Sequence, residues 1–194
     1  LVVNKGFKNE GIVALVAKHH HSHFRIPIGL SLGKTNERQM TQAEAVEDIV
    51  AAFRKAEAAA LPFSYYELNI SCPNLHGPVS FYAPDHLREL LHAVTSPALT
   101  RPVFVKMPLN KTDEEIVALL GVISTFSIAG VIFGNLQQRR DLACVDQEEQ
   151  KKYPKGGLGG KATWDRSNEL IALAYRTYGK QLTVIGCGGV FSAE

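Results

Sequence analysis

The chain alternates between short runs of β-branched and aromatic residues and longer stretches with hydrophobic positions at helical spacing. The short runs predict strands at residues 1–3, 26–32, 65–70, 102–106, 130–133 and 182–186. The longer stretches have apolar residues three and four positions apart, and they predict helices at 12–20, 42–60, 85–95, 113–126 and 166–178. Thr41, Thr112 and Asp165 stand where helix N-caps are expected. This alternation predicts parallel strands joined by crossover helices.

One long segment does not follow the pattern. Residues 137–163 have no hydrophobic periodicity, and compact domains rarely leave a segment of this length without regular structure unless it has a function. We interpret it as a functional loop or lid within a single domain that covers residues 1–194.

Composition and charge exclude several classes of protein. The 194 residues are 45% hydrophobic and 21% charged, which is typical of a soluble domain with a sizeable core. The formal charge of +2, with no basic cluster interleaved with aromatic residues, argues against nucleic-acid binding. The three cysteines are far apart and form no CxxC pair, so we expect neither a disulfide framework nor a zinc site, and a cytoplasmic location fits best.

The ends of the chain limit what its composition can exclude. No apolar run has the length of a membrane span, and no signal peptide is visible. However, the chain begins at Leu1 without an initiator methionine and stops shortly after a glycine pair, so we expect both ends to be cut. Peripheral membrane association of a longer protein, through segments absent from this chain, therefore stays open.

Polar residues follow most of the predicted strands. They are Asn4 after the first strand, Asn69 near the end of the third and Cys72 after it, Lys106 at the end of the fourth, Asn135 after the fifth and Gly188-Gly189 after the sixth. Strand–helix alternation fits either an open doubly wound sheet or a (β/α)8 barrel, and both place their chemistry at the carboxyl ends of strands. Because these residues follow five separate strands, we predict an α/β fold of the (β/α)8 TIM-barrel type, truncated at both ends, with about six βα units present.

The segment from Glu67 to Asn74 has the most distinctive chemistry in the chain. An apolar strand ends there in two asparagines, a serine and a thiol, and Pro73 disfavours helical dihedrals at Cys72, which places the thiol on a loop. A thiol acts as a base only when its pKa falls from about 8.5 towards the working pH, and polar neighbours are expected to lower it. A small buried apolar residue is the alternative interpretation of Cys72. The flanking Asn69 and Asn74 favour the functional one.

Six motifs together resemble the ordered motifs of the dihydroorotate dehydrogenase family. They are residues 4–11 (NKGFKNEG), 69–74 (NISCPN), Val105-Lys106, Gly130-Val131-Ile132 with Asn135, 156–160 (GGLGG) and 185–190 (IGCGGV). The resemblance covers essentially the whole chain, and the 69–74 motif is its most specific part. It implies an FMN-containing (β/α)8 barrel that oxidises dihydroorotate to orotate in pyrimidine biosynthesis.

The same resemblance implies a catalytic role for Cys72. In the family a base removes the C5 proton of dihydroorotate while FMN accepts the C6 hydride, and Cys72 matches that base. Soluble class 1 members have cysteine at this position, whereas the membrane-associated, quinone-using members have serine. The helix start at Asp113-Glu114-Glu115 and the spacing through the Gly156 loop resemble the quinone-using branch instead. The electron acceptor is therefore left open among quinone, fumarate and NAD.

Residues around the substrate and the cofactor are implied in the same way. Substrate would be bound by Asn4, Gly6, Phe7, Asn69, Asn74 and Asn135, and FMN by Ser31, Asn69, Lys106, Gly134, Gly160 and Gly189. Asparagine side chains can donate to and accept from the polar edge of a planar ring without adding charge. A fixed lysine charge would stabilise the anionic reduced flavin.

Some residues depart from the family pattern. Ser31 stands where quinone-using members usually have asparagine, and Gly134 and Leu136 flank Asn135 where those members have threonine. We predict no metal site, because the histidines between His19 and His23 lie at the end of a predicted helix and suit its C-terminus.

Two other functions remain possible from the sequence. A related flavin barrel similar to dihydropyrimidine dehydrogenase would act on another pyrimidine, but that family tends to have histidine after Cys-Pro, where this chain has Asn74. The chain could instead be a non-catalytic truncated homologue that does not retain FMN. An incomplete barrel exposes two sheet edges, which makes a homodimer possible.

Overall fold

The computed structural model describes residues 1–192, and its centre is a sheet of five parallel strands. In chain order the elements are β1 (Val2–Val3), α1 (Gly11–His19), β2 (Gly29–Leu32), α2 (Gln42–Ala58), β3 (Tyr65–Asn69), α3 (Pro84–Thr95), β4 (Val103–Lys106), α4 (Asp113–Ile123), β5 (Gly130–Phe133), α5 (Gln147–Lys151), β6 (Gly157–Leu158), α6 (Trp164–Tyr178) and β7 (Thr183–Gly186). The parallel sheet has the order β2-β3-β4-β5-β7. Each neighbouring pair in it is joined through a helix, as the alternation predicted.

The two faces of the sheet differ in burial. Successive residues of a strand point to opposite faces, so Tyr66 and Leu68 of β3 lie on one side and Glu67 and Asn69 on the other. Tyr66 and Leu68 are 1% and 0% exposed because α2 and α3 cover that side, whereas Glu67 and Asn69 are only partly buried. We call the covered side the helix-facing side and the other side the inner face. Helices α2, α3, α4 and α6 pack side by side over the helix-facing side.

Two of the three predicted N-caps are confirmed. Thr41 and Thr112 each accept a hydrogen bond from the backbone N–H three residues on, and Glu44 and Glu115 complete capping boxes at these helix starts. The prediction for Asp165 is wrong, because a 3-10 turn over Gly160–Thr163 leads directly into α6 and Thr163 takes the N-cap position. Asp165 lies in the first turn, where its charge favours the positive end of the helix dipole.

The first predicted strand is not part of the parallel sheet, which therefore has five strands instead of six. Val2 and Val3 pair antiparallel with Leu158 and Gly157 of β6, in a separate two-stranded ribbon. A run this short matches an antiparallel partner as well as a parallel one, and its sequence could not distinguish them.

The segment 137–163 is also more regular than its sequence indicated. It contains α5, β6 and the 3-10 turn, and Gln137 forms a β-bridge with Leu158. These elements are too short to show a period in the sequence. Nothing in the arrangement tests whether the segment acts as a lid, and the assignment of one domain to residues 1–194 also stays a prediction.

No helix in residues 1–192 is both long enough and apolar enough to cross a membrane.

Candidate active site

The carboxyl ends of β3 and β5 are joined by a hydrogen-bonded set of side chains. Asn69, the last residue of β3, accepts a hydrogen bond from the backbone N–H of Ser71 at 3.2 Å through its Oδ1. Asn135, which follows β5, donates from Nδ2 to Ser71 Oγ at 2.8 Å. Two of the predicted asparagines are thereby linked through a serine, although β4 separates their strands in the sheet.

A second polar cluster lies on the inner face just below these strand ends. Lys106 Nζ is 3.4 Å from Glu67 Oε2, and both side chains are about 15% exposed (15% and 14%). Ser31 Oγ donates to Glu67 Oε1 at 2.7 Å. The predicted cofactor residues Ser31 and Lys106 therefore share one carboxylate. Glu67 was not predicted as a site residue, although an acid two positions before Asn69 in an apolar strand must share its face.

Cys72 lies on the loop that follows β3, as predicted, and is partly buried beside a cavity of about 360 Å³. Its lining includes Lys34, Asn69, Ser71, Cys72, Tyr82 and Lys111. Two lysines and several hydrogen-bonding groups converge there, so the cavity suits a small, polar, anionic ligand.

The expectation of a lowered thiol pKa is wrong for this structure. Burial raises the pKa of Cys72, and this effect outweighs a backbone hydrogen bond at Asn74 and the charge of Lys34, which both lower it. The strand end supplies polar neighbours as predicted, but partial burial of the thiol removes some of its water.

Lys34 is a second residue that the sequence-based reasoning missed. Its side chain is buried, with the residue 4% exposed, and Nζ donates to the backbone carbonyls of Thr35 at 3.2 Å and His76 at 2.9 Å. Burial lowers the pKa of Lys34, while Asp48, Glu37 and Cys72 act in the opposite direction. Its position shortly after β2 was the available signal, because other candidate residues also follow strands.

Gly6, Phe7 and Asn74 meet at the outer end of the Cys72 loop. Asn74 Nδ2 donates to the carbonyl of Val3 at 3.0 Å. Gly6 has φ +65°, and a Cβ there would lie 2.7 Å from the carbonyl oxygen of Asn74, so only glycine allows this approach. The Phe7 ring reaches within 2.9 Å of the Cβ position of Gly33. The amino-terminal segment thus closes one wall beside the loop.

The remaining predicted residues are more scattered. A Cβ at Gly134 would lie 2.3 Å from Leu109 Cδ2, so a larger residue there would require the Leu109 side chain to move. Gly160 and Gly189 both have positive φ, and Gly189 lies beside Thr163, which is in the same 3-10 turn as Gly160. Asn4 is exposed and adjoins Gly156. The roles of these residues in binding stay predictions.

The histidines near His19 lie at the C-terminal end of α1, with Lys18 and His19 in its last turn. Within residues 1–192 no three or more His, Cys, Asp or Glu side chains are arranged to hold a metal ion.

Comparison with known proteins identifies the family. The family model described as dihydroorotate dehydrogenase matches residues 2–194. The chain belongs to the dihydroorotate dehydrogenase family. A relative from Synechococcus elongatus named dihydroorotate dehydrogenase (quinone) is 34% identical over 87% of this chain and 45% of its own length. One of the same name from Streptomyces griseus is 32% identical over 100% of this chain and 53% of its own length.

Solved structures of this family have the same fold. A crystal structure of DHODH from Eimeria tenella in complex with ferulenol superposes with a TM-score of 0.78 at 19% identity, covering 98% of this chain and 56% of that one. A ligand-free structure of DHODH from the same organism gives 0.74 at 22% identity, over 92% of this chain and 53% of that one. The fold class predicted from the sequence is confirmed. This dihydroorotate dehydrogenase family chain spans about half the length of the curated relatives it matches.

Proposed function

We propose that this chain contributes to a flavin-dependent oxidation of dihydroorotate to orotate in pyrimidine biosynthesis. The observation that carries the proposal is the family match over residues 2–194, together with relatives named dihydroorotate dehydrogenase (quinone). The site supports it independently, because Cys72, Asn69 and two lysines line one cavity at the carboxyl end of β3, and Ser71 links Asn69 to Asn135.

The residues at these strand ends fit FMN as the cofactor. Lys106 and Asn69 offer hydrogen-bond donors on the inner face, which suits the acceptor atoms of a flavin pyrimidine ring. Gly160 has positive φ and nothing within 4 Å of its Cβ position, so its backbone is open to close approach by a ligand. FMN, when bound, supplies the acceptor for the hydride that leaves C6 of dihydroorotate.

Cys72 is the proposed base for the C5 proton. The thiolate must form before it can accept a proton, and the charge of nearby Lys34 favours that form while burial opposes it. An anionic substrate in the cavity displaces water, so water no longer competes with the thiolate for the proton. We assign Asn69 and Asn135 to the polar edge of the substrate ring, since Ser71 holds both amides in fixed positions.

Quinone is the proposed electron acceptor. The names of the relatives support it, whereas cysteine as the base was the sequence feature that pointed to class 1 enzymes and to fumarate or NAD. Steady-state assays with each of the three acceptors distinguish these possibilities. Quinone as the sole productive acceptor is the expected result.

The experiment for the reaction uses the chain after incubation with FMN, with dihydroorotate as substrate and a reducible dye as the readout. We expect bound flavin and dye reduction, and we expect Cys72→Ala to lower turnover by about 100-fold to 10,000-fold, the range typical of a lost general base. Cys144→Ala is the matched control, because Cys144 is exposed and does not line the cavity beside Cys72. A chain that neither retains FMN nor reduces the dye contradicts the proposal and supports a non-catalytic homologue.

A further inference from the structure

One carboxylate connects residues of three neighbouring strands on the inner face of the sheet. Glu67 Oε1 accepts from Ser31 Oγ of β2 at 2.7 Å and from Asn69 Nδ2 of β3 at 3.3 Å. Glu67 Oε2 is 3.4 Å from Lys106 Nζ of β4. All three partners are residues that we assign to the cofactor, whereas Glu67 itself has no assigned role.

The strand register brings these groups together. Ser31 is directly opposite Glu67 in the β2–β3 pair, and Asn69 is directly opposite Lys106 in the β3–β4 pair. Glu67 and Asn69 are two positions apart, so they share the inner face. The cluster therefore rests on the rigid part of the fold, where positions are more precise than on loops.

Glu67 holds Lys106 in place without occupying all of its N–H donors. An ionised carboxylate has about four acceptor positions, and Glu67 serves three donors. An ammonium has three N–H groups, and Lys106 directs one to Glu67, with Cys187 Sγ at 3.9 Å as its other partner within residues 1–192. Lys106 is thus held in place with donor capacity left for a ligand on the inner face.

Charge matters as much as geometry here. With about 15% of each side chain exposed, the Glu67–Lys106 pair is screened less by water than a surface pair, so Glu67 offsets much of the positive charge of Lys106. A ligand that becomes more negative on reduction would respond to that balance.

We propose that Glu67 is the positioning residue of this site: it orients Ser31, Asn69 and Lys106 together and sets the net charge that the flavin ring meets. The proposal rests on the proposed function in one respect, that the ligand of the inner face is FMN. The charge balance between Glu67 and Lys106 then tunes the reduction potential of the bound flavin.

Glu67→Gln separates charge from shape. The amide oxygen of glutamine can still accept from Ser31, but the charge of Lys106 is no longer offset. We expect the reduction potential of bound FMN to become more positive by about 30 mV or more, which for a two-electron couple is a tenfold change in the ratio of reduced to oxidised affinity. Glu67→Ala also removes the acceptor, and we expect FMN to bind about tenfold more weakly, as when one hydrogen-bonding anchor is lost.

Glu57→Gln is the matched control. Glu57 is 17% exposed in its side chain and pairs with Arg101 at 3.5 Å, but it lies on the helix-facing side. We expect this variant to lose stability and to leave both the potential and the affinity for FMN unchanged. A shift for Glu67→Gln no larger than that for Glu57→Gln overturns the proposal.

A measurement without cofactor keeps the two proposals separate. Acetic anhydride labelling of the apo chain, read by peptide mass spectrometry, compares Lys106 with exposed Lys180 as an internal reference. We expect Lys106 to label severalfold faster in Glu67→Gln than in the unchanged chain, because it is released from its partner. If no variant binds FMN, the proposed function fails, and the labelling decides the role of Glu67: an unchanged rate at Lys106 overturns that role.

Discussion

Glu57 and Glu67 are two partly buried glutamates near strand β3 whose surroundings differ. Glu57 accepts from Tyr66 Oη at 2.5 Å and from the backbone N–H of Thr100 at 2.9 Å, and it pairs with Arg101. Arg101 in turn donates to the carbonyls of Phe63 and Leu61, so its guanidinium is surrounded by protein acceptors. Glu67 instead holds Lys106, which keeps donor capacity facing the inner face.

The two clusters lie on opposite sides of the sheet. The helix-facing side is closed by α2 and α3, so unpaired polar groups there would carry the full cost of desolvation and must be matched within the protein. The Glu67–Lys106 pair is no more exposed than the Glu57–Arg101 pair, with side chains 14% and 15% exposed against 17% and 21%. The two clusters therefore differ in how many protein acceptors surround the cation: those of Arg101 are matched, whereas Lys106 keeps donors for a ligand.

The largest expected loss of stability follows from a substitution on the helix-facing side of β3. Leu68 is 0% exposed, and Leu68→Ala should lower the free energy of unfolding by about 2–5 kcal/mol because it leaves a cavity in the core. Asn69→Ala, on the inner face, should lower it by about 1 kcal/mol, since only modest hydrogen bonds are lost. Urea unfolding measures both. Equal losses would break the distinction between the two sides.

Glu57→Gln should have the next largest effect. It should lower the free energy of unfolding by about 1–3 kcal/mol at neutral pH, because it leaves Arg101 without its partner in a partly buried position. Burial raises the pKa of Glu57, but hydrogen bonds from Tyr66 and Thr100 and the charge of Arg101 together take it below its ordinary value of 4.5. The stability that Glu57 contributes is therefore present above the pKa of the unfolded chain and is lost as the pH falls through the lower folded pKa.

Urea unfolding of the unchanged chain and Glu57→Gln between neutral pH and about pH 3 checks this dependence. The difference in the free energy of unfolding between the unchanged chain and Glu57→Gln should become smaller as the pH falls. A gap that stays constant would show that the carboxylate charge contributes nothing to the network.

Thr112→Ala should lower the free energy of unfolding by a smaller amount, about 1 kcal/mol, because the threonine side chain caps α4. This helix is one of those that close the helix-facing side. Thr112→Ser keeps the hydroxyl and serves as the control. Thermal unfolding is the measurement, and equal losses in both variants would show that the hydroxyl does not act as a cap.

The smallest expected effect concerns Cys72 in the candidate site, and it is measured by the reactivity of the thiol. Burial raises the pKa of Cys72. The pH at which iodoacetamide alkylates this cysteine at half the maximum rate should therefore be higher than for an ordinary thiol. Lys34→Met should move that midpoint higher still, since the charge of Lys34 favours the thiolate. Lys111 lines the same cavity, so Lys111→Met is the control. A midpoint that Lys34→Met leaves in place contradicts the assigned electrostatics.

Much of the parallel sheet was predictable because its strands and helices have different hydrophobic periods. Strand β3 and helix α2 were predicted within two residues of their ends, and Thr41 and Thr112 were recognisable as caps from their spacing to Glu44 and Glu115. Val2 and Val3 were misassigned because two residues have no period that distinguishes one kind of pairing from another. The same limit concealed α5 and β6.

The candidate site was only partly predictable. Asn69 ends a strand and Cys72 and Asn135 follow strands, and that position sufficed to bring them to one edge. Glu67 and Lys34 were missed because the importance of each depends on partners far away in the chain. The pKa of Cys72 was predicted in the wrong direction because the neighbours in the sequence are polar, whereas the folded loop excludes water.

The sequence by itself determined the alternation of the main strands and helices, the caps of α2 and α4 and the set of polar residues at the strand ends, since these depend on contacts between residues close in the chain. Only the tertiary structure decided which side of each strand is closed, which carboxylate has Lys106 as its partner, and how much water reaches Cys72. Those properties depend on strand register and on burial, and both arise only when distant segments pack together.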